Sequence, residues 1–249
     1  MIAKIEHNGT KFKVDLLKPI DISIEISATP KSVSAWYLDP MNIEPVKGEG
    51  FVGAVKEGGS VNFRNISFNP HGHSTHTECL GHITPEVHNV NEHITTFFFT
   101  AEVVSIVPEK IDGDEIITQD QIVSALKSNP NPEAIVIRTL PNYDSKINRQ
   151  YSNSNPPYLT EDAALEVRSR GIKHLLIDTP SVDKEVDGGK LLAHHAFWNV
   201  PESPRFDCSI TELIYVPTEI QDDTYLLNLG FASINNDASP SKPVLYRLL

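Results

Sequence analysis

The segment Asn69–His82 reads "NPHGHSTHTECLGH" and sets four imidazoles, His71, His73, His76 and His82, around one carboxylate, Glu78. With His88 and His93 added, six of the chain's ten histidines fall between residues 71 and 93, where an even spread over 249 residues would leave about one. Chance is a poor explanation for that density. In an extended segment residues i and i+2 share a face, so His76 and Glu78 converge while Cys79 points away. Imidazole nitrogen and carboxylate oxygen bind Zn²⁺ at about 2.0 to 2.2 Å, and the same donors suit Mn²⁺ or Fe²⁺. A polar loop whose histidines simply hydrogen-bond their neighbours accounts for the same pair.

Two donors do not complete a metal site, so further ligands must come from elsewhere in the chain. The other dense spot is "AHHAFW" (193–198), where His194 and His195 follow the apolar Leu191-Leu192. Such a pairing suits a buried ligand with an outer-sphere partner, and equally a satisfied core histidine.

Composition limits the alternatives. The length suits one large domain, 1–249, with a real core. Hydrophobic residues make up 39% and charged residues 22% of the chain, the balance of an ordinary globular protein. A net charge of -12 disfavours nucleic acid and anionic membrane as partners, because phosphate binding needs clustered Lys and Arg. The opening "MIAKIEHNGTKFKVDLL" has no apolar signal core and no apolar run is long enough to span a bilayer, so the expected location is cytoplasmic. Cys79 and Cys208 then read as free thiols.

The first third reads as strands, at 12–17, 21–27, 51–55 and 61–69, from the alternation of polar and apolar residues, and 99–107 continues the pattern. Thr118 and Gln121 form a capping box ahead of "IVSALKS", with Asn129-Pro130 as its stop. Thr160 caps a second helix whose first turn carries Glu161 and Asp162 and which Gly171 closes. "AIVIRT" (134–139) and "IKHLLID" (172–178) are buried strands around it, a βαβ-like arrangement. The intervening stretch 141–158 exceeds ordinary connections and reads as a functional flap. Strands return at 210–216, 224–229 and 244–249.

The window Gly72–His82 resembles the signature H-x-G-T-H-x-D-x-P-x-H of the cyclase-like metal-dependent hydrolase family, which includes bacterial kynurenine formamidases and isatin hydrolases. "IDTPSVD" (177–183), "AHH" (193–195) and the Glu212 of "SITELI" resemble the family's second half, in the same order. The resemblance implies an α/β chain with a swivelling β/β/α single domain, built on a mixed sheet core and carrying Zn or Mn. It also implies a homodimer or homotetramer acting on a small-molecule substrate. Carried over residue by residue, it makes His76, Glu78, His194 and Glu212 the metal ligands and His82 the catalytic acid/base.

The departures from the signature are specific. Its first histidine, a metal ligand in the family, is Gly72 here, and His71 and His73 have the wrong parity if the segment is extended, although a bulge would turn one of them inward. Glu78 replaces Asp, moving the carboxylate by about 1.5 Å, and Leu80 replaces Pro. The loss of one ligand favours a single ion over two.

The function implied is hydrolysis of a C–N bond in an amide, formamide or cyclic amide, arylformamidase-like, with metal-bound hydroxide attacking the carbonyl and His82 carrying the proton. The alternative is a catalytically inactive relative that binds a metal or small ligand. Trp36 and Tyr37, with Trp198, are candidates to wall an apolar substrate pocket, or are core residues. The chain has no G-x-S-x-G, phosphate-binding glycine loop or H-E-x-x-H, so Ser181 reads as structural or substrate-binding rather than nucleophilic.

Overall fold

The computed structural model describes residues 1–126 and 132–249. Its centre is a mixed sheet that closes on itself. Four strands run parallel in the order Phe98–Ile106, Ala134–Thr139, His174–Ile177 and Ser209–Glu212. Three antiparallel strands, His76–Glu78, Ala238–Arg247 and Thr224–Phe231, complete the ring by pairing back onto Phe98–Ile106. Seven strands thus form a closed, barrel-like core, and Ile20–Asp21 adds an eighth at the outer side of Ala238–Arg247.

The period-2 alternation of strand side chains gives the barrel two apolar faces. Ala101, Val103, Ala134, Val136 and Leu176 fill one cluster together with Tyr225 and Leu227. Their neighbours Val104, Ile106, Ile135, Ile137, Leu175 and Ile177 belong to a second cluster, against the helices Glu161–Ser169 and Leu192–Trp198. Both faces are covered, which is why "AIVIRT" is buried at every position rather than alternating.

The helix signals hold where they are described. The Thr160 side chain accepts from Ala163 N, and Gly171 ends the helix with a left-handed φ of 73°. Gln121 Oε1 accepts from Thr118 N at the start of Gln119–Ala125. The Asn129-Pro130 stop lies outside the described residues.

The first third is less regular than its alternation suggests. Of 21–27 only Asp21 lies in a strand, followed by an isolated bridge from Ser23 to Ile214. The strands expected at 51–55 and 61–69 shrink to Phe51–Val52 and Arg64–Ser67, in small exposed hairpins. Ile2–His7 pairs with Thr10–Asp15 as a further hairpin.

The stretch 141–158 is packed down. Tyr151 is buried and its N–H donates to Ser34 O, while Ser34 N donates to Arg149 O and Lys146 Nζ reaches Asp178 Oδ2 at 2.7 Å and Thr139 O at 2.6 Å beneath the surface. A flap would need to leave these partners behind, and an unpaired buried charge costs several kcal/mol. No helix among the described residues is long and apolar enough to cross a membrane.

Candidate metal centre

Register decides which side chains meet. His76–Glu78 pairs antiparallel with Ser209–Glu212, placing His76 opposite Glu212 and Glu78 opposite Ile210. His76, Glu78 and Glu212 therefore share the helix-facing side of the barrel, while Thr77 and Thr211 bond each other on the other side, Oγ1 to Oγ1 at 2.8 Å. The helix Leu192–Trp198 lies across that face and brings His194 down onto it.

The result is a buried polar knot. His194 Nε2 lies 3.2 Å from Glu78 Oε1 and 3.8 Å from Glu212 Oε1. His76 Nε2 lies 3.3 Å from Glu212 Oε2 and 4.0 Å from Glu78 Oε2. Asp183 steadies His194 by accepting from its Nδ1 at 2.5 Å, and its carboxylate also takes the Ala193 and His194 backbone N–H groups at the start of the helix. His76 Nδ1 is tied to Ser74 O at 3.1 Å. Each ring has its outer nitrogen engaged and its inner nitrogen directed at the carboxylates, the tautomer and orientation that metal-bound histidines show.

Two atoms test whether a cation fits. His76 Nε2 and Glu78 Oε2 are fully buried and have no hydrogen-bond partner. Orphaned polar atoms carry a penalty of about 1 to 3 kcal/mol each, more for charged groups, and two of them converging on one spot fit a ligand that satisfies both at once. Donor atoms of His71, His76 and Glu78 lie within 4.8 Å of one another, as do those of Glu78, His82 and His194.

Electrostatics agree with the donor set. Burial pushes the Glu78 carboxyl up, but the charge of His82, the bond from His194 and the closeness of the His71 imidazole outweigh it and hold the group well below the usual carboxylate range. Burial likewise works against protonation of His194, yet Asp183 and Glu78 raise it to about 10. Against its burial, Asp237 and Glu78 likewise raise His71 to about 10, and a cation entering the centre would displace the protons of these two imidazoles.

The sequence-derived candidates separate into three groups. His76, Glu78, His194 and Glu212 come together as expected, 136 residues apart at the extremes. His82, with its side chain 31% exposed, sits at the mouth, where Trp36, Leu38, Ser181 and Leu191 join it around a cavity of about 320 Å³. Two of the three proposed wall aromatics are elsewhere. Trp198 is fully buried in the core cluster behind His194, its indole N–H donating to Cys208 O, and does not line the cavity. Tyr37 points outward, 60% exposed, with its hydroxyl donating to Glu185.

Two residues, Asp183 and Asp237, escaped the sequence reading, which also leaves open the choice between His71 and His73. His71 enters the cluster because 70–73 is a single helical turn, so strand parity does not apply to it. His73 leaves the cluster, bonded to Asn69 N and Asp39 O. Asp183 sits at the end of the quoted "IDTPSVD" but was not read as a partner of His194. Asp237, which faces both His71 and His82, lies in "INNDASP", where no pattern marks it.

The fold matches several solved structures. "The Structure Of Potential Metal-Dependent Hydrolase With Cyclase Activity" aligns with a TM-score of 0.67 at 13% identity, covering 92% of this chain and 97% of that one. An isatin hydrolase bound to the product analogue thioisatinate aligns at 0.65, with 14% identity and 92% of each chain covered. Isatin hydrolase A from Labrenzia aggregata, bound to benzyl benzoate, aligns at 0.64 and 14%, covering 92% of this chain and 93% of that one. At such identities the likeness is one of fold. No curated protein matches the chain in sequence. The family model described as "Putative cyclase" matches residues 20–184, well over half of the chain, and this protein belongs to that cyclase family.

Proposed function

We propose that this protein is a metal-dependent hydrolase of a C–N bond in an amide, formamide or cyclic amide. The observation that carries the reading is the pair of orphaned buried atoms, His76 Nε2 and Glu78 Oε2, beside a cavity of substrate size. His76, Glu78, His194 and Glu212 would hold a divalent cation, Zn²⁺ or Mn²⁺, with a single ion per chain. Bound there, such an ion supplies Lewis acidity toward a carbonyl and acidifies water.

The chain's own groups divide the remaining work. Asp183 and Ser74 O fix the tautomers of His194 and His76. His82 is the most exposed imidazole of the cluster and lines the cavity, so it is placed to take a proton from the attacking water and return it to the leaving nitrogen. Trp36 and Leu191 present apolar surface across the cavity from the imidazoles, both in the left-handed region at φ 62° and 46°. Bulky residues adopt that conformation only where packing enforces it, which supports a built binding wall for a flat or cyclic substrate. The likeness of the fold to solved isatin hydrolases supports a cyclic amide as one substrate class. Further expectations are a homodimer or homotetramer, and a cytoplasmic location.

The test is a substrate panel. Protein loaded with Zn²⁺ or Mn²⁺ is assayed on N-formylkynurenine, simple formamides, isatin and cyclic imides, with Glu78→Gln alongside. Turnover of one class, abolished in the variant, supports the reading; no turnover by fully loaded protein favours a binding protein that has kept the fold.

A further inference from the structure

We propose that His71, held from behind by Asp237, is itself a ligand of the divalent centre, occupying the place that Gly72 leaves empty. The inference rests on the metal reading above and extends it to two residues outside the expected set.

The local chain makes the substitution possible. Pro70 stands at the first position of the turn Pro70–His73, where a missing N–H costs nothing, and the Asn69 side chain accepts from His71 N at 2.9 Å. That turn replaces the alternating directions of a strand by a helical rotation. His71 swings toward Glu78, His73 swings toward Asp39, and Gly72 faces the Trp36 loop. A Cβ on residue 72 would meet Leu38 Cδ1 at 2.4 Å and Ala35 O at 3.0 Å, so that position is crowded against the Trp36 loop while His71 faces Glu78.

The geometry of His71 repeats that of the two histidines already described. His194 has its outer nitrogen on Asp183 and His76 has its outer nitrogen on Ser74 O. His71 has its outer nitrogen, Nε2, on Asp237 Oδ2 at 3.1 Å. Its inner nitrogen, Nδ1, lies 3.0 Å from Glu78 Oε2, yet that oxygen has no hydrogen-bond partner, because the two atoms are close without the alignment of a hydrogen bond. Two lone-pair donors aimed at a shared third point produce that arrangement, and a histidine donating to a carboxylate does not. Asp237 arrives from the segment just before Ala238–Arg247, whose pairing with His76–Glu78 fixes its position over the ring.

Thiolate substitution reads the assignment directly. In His71→Cys loaded with Co²⁺, a sulfur-to-cobalt charge-transfer band in the near ultraviolet is expected; in His73→Cys it is not. Chelator competition with Zn²⁺ should show His71→Ala weakened by more than about 100-fold, Asp237→Asn by about 10- to 100-fold and His73→Ala unchanged. Circular dichroism of each variant confirms the fold. A wild-type affinity in folded His71→Ala, or Co²⁺ bound to His71→Cys without the band, overturns the assignment while leaving the metal centre standing. Failure of the wild-type protein to bind Zn²⁺ or Co²⁺ overturns both.

Discussion

His194 Nε2 and Glu78 Oε1 lie 3.2 Å apart although 116 residues separate them in the chain. The contact exists because a strand and a helix from opposite halves of the sequence share one face of the closed sheet, and both side chains are almost wholly buried there. Burying a carboxylate among imidazoles is costly unless its oxygens are satisfied; Oε1 has His194, and the partnerless Oε2 beside it is the sign that the centre is built for a cation.

Asp183 positions His194 twice, through the ring nitrogen and through the first N–H groups of the helix. Asp183→Asn should therefore lower metal affinity by about 10- to 100-fold, read by chelator competition, while thermal stability drops by only about 1 to 2 kcal/mol from the weakened cap.

Gly72→His does not restore a metal site. The added side chain would collide with Leu38 and crowd Ala35 O and Trp36, so the variant should lose about 1 to 3 kcal/mol of stability in urea melts with no gain in metal content. A ligand at 72 presupposes an extended segment like the signature's, which the Pro70–His73 turn is not.

Lys146 and Asp178 form a buried pair that pins 141–158 to the sheet, with Thr139 N and Oγ1 also donating to the carboxylate. Lys146→Met leaves that carboxylate without its cation and should cost about 3 to 5 kcal/mol. Burial already raises the Asp178 pKa, so the loss in the variant should shrink at acid pH, where the carboxyl takes up a proton.

His174 faces the barrel interior against Phe99, its Nδ1 bonded to Ser209 Oγ at 2.8 Å, and burial pushes its pKa down from 6.5 to about 3. The unfolded chain binds a proton there below pH 6.5 and the folded one does not, so this residue's contribution is intact above 6.5 and is lost as pH falls toward 3. Relative to His174→Gln, the wild-type protein should lose about 2 to 3 kcal/mol between pH 6.5 and 4.5, measured by urea denaturation at each pH.

Some of this was legible from sequence and some was not, for physical reasons. The strands at Phe98–Ile106 and Ala134–Thr139 are near-continuous β-branched and apolar runs, and the Thr160 cap with Gly171 brackets its helix by local bonding alone. The exposed hairpins between 42 and 67 show the same alternation as a core strand, because period 2 does not say whether a partner is present. His76, Glu78, His194 and Glu212 were readable from their motifs. The choice between His71 and His73 stayed open because strand parity does not foresee the single helical turn Pro70–His73, and Asp237 was hidden by having no pattern around it. Trp198 lies one helical turn on from His194, with its ring 5.4 Å from the imidazole, yet it is wholly buried in the core cluster, which the apolar "AFW" already signalled.

The most direct measurement is elemental analysis of protein purified without a histidine tag, equilibrated with Zn²⁺ or Mn²⁺ and desalted. The account predicts about one divalent ion per chain in the wild-type protein and its loss in both His76→Ala and His194→Ala, the two imidazoles that the fold brings together from opposite ends. Metal-free wild-type protein, or an unchanged content in both variants, would contradict it.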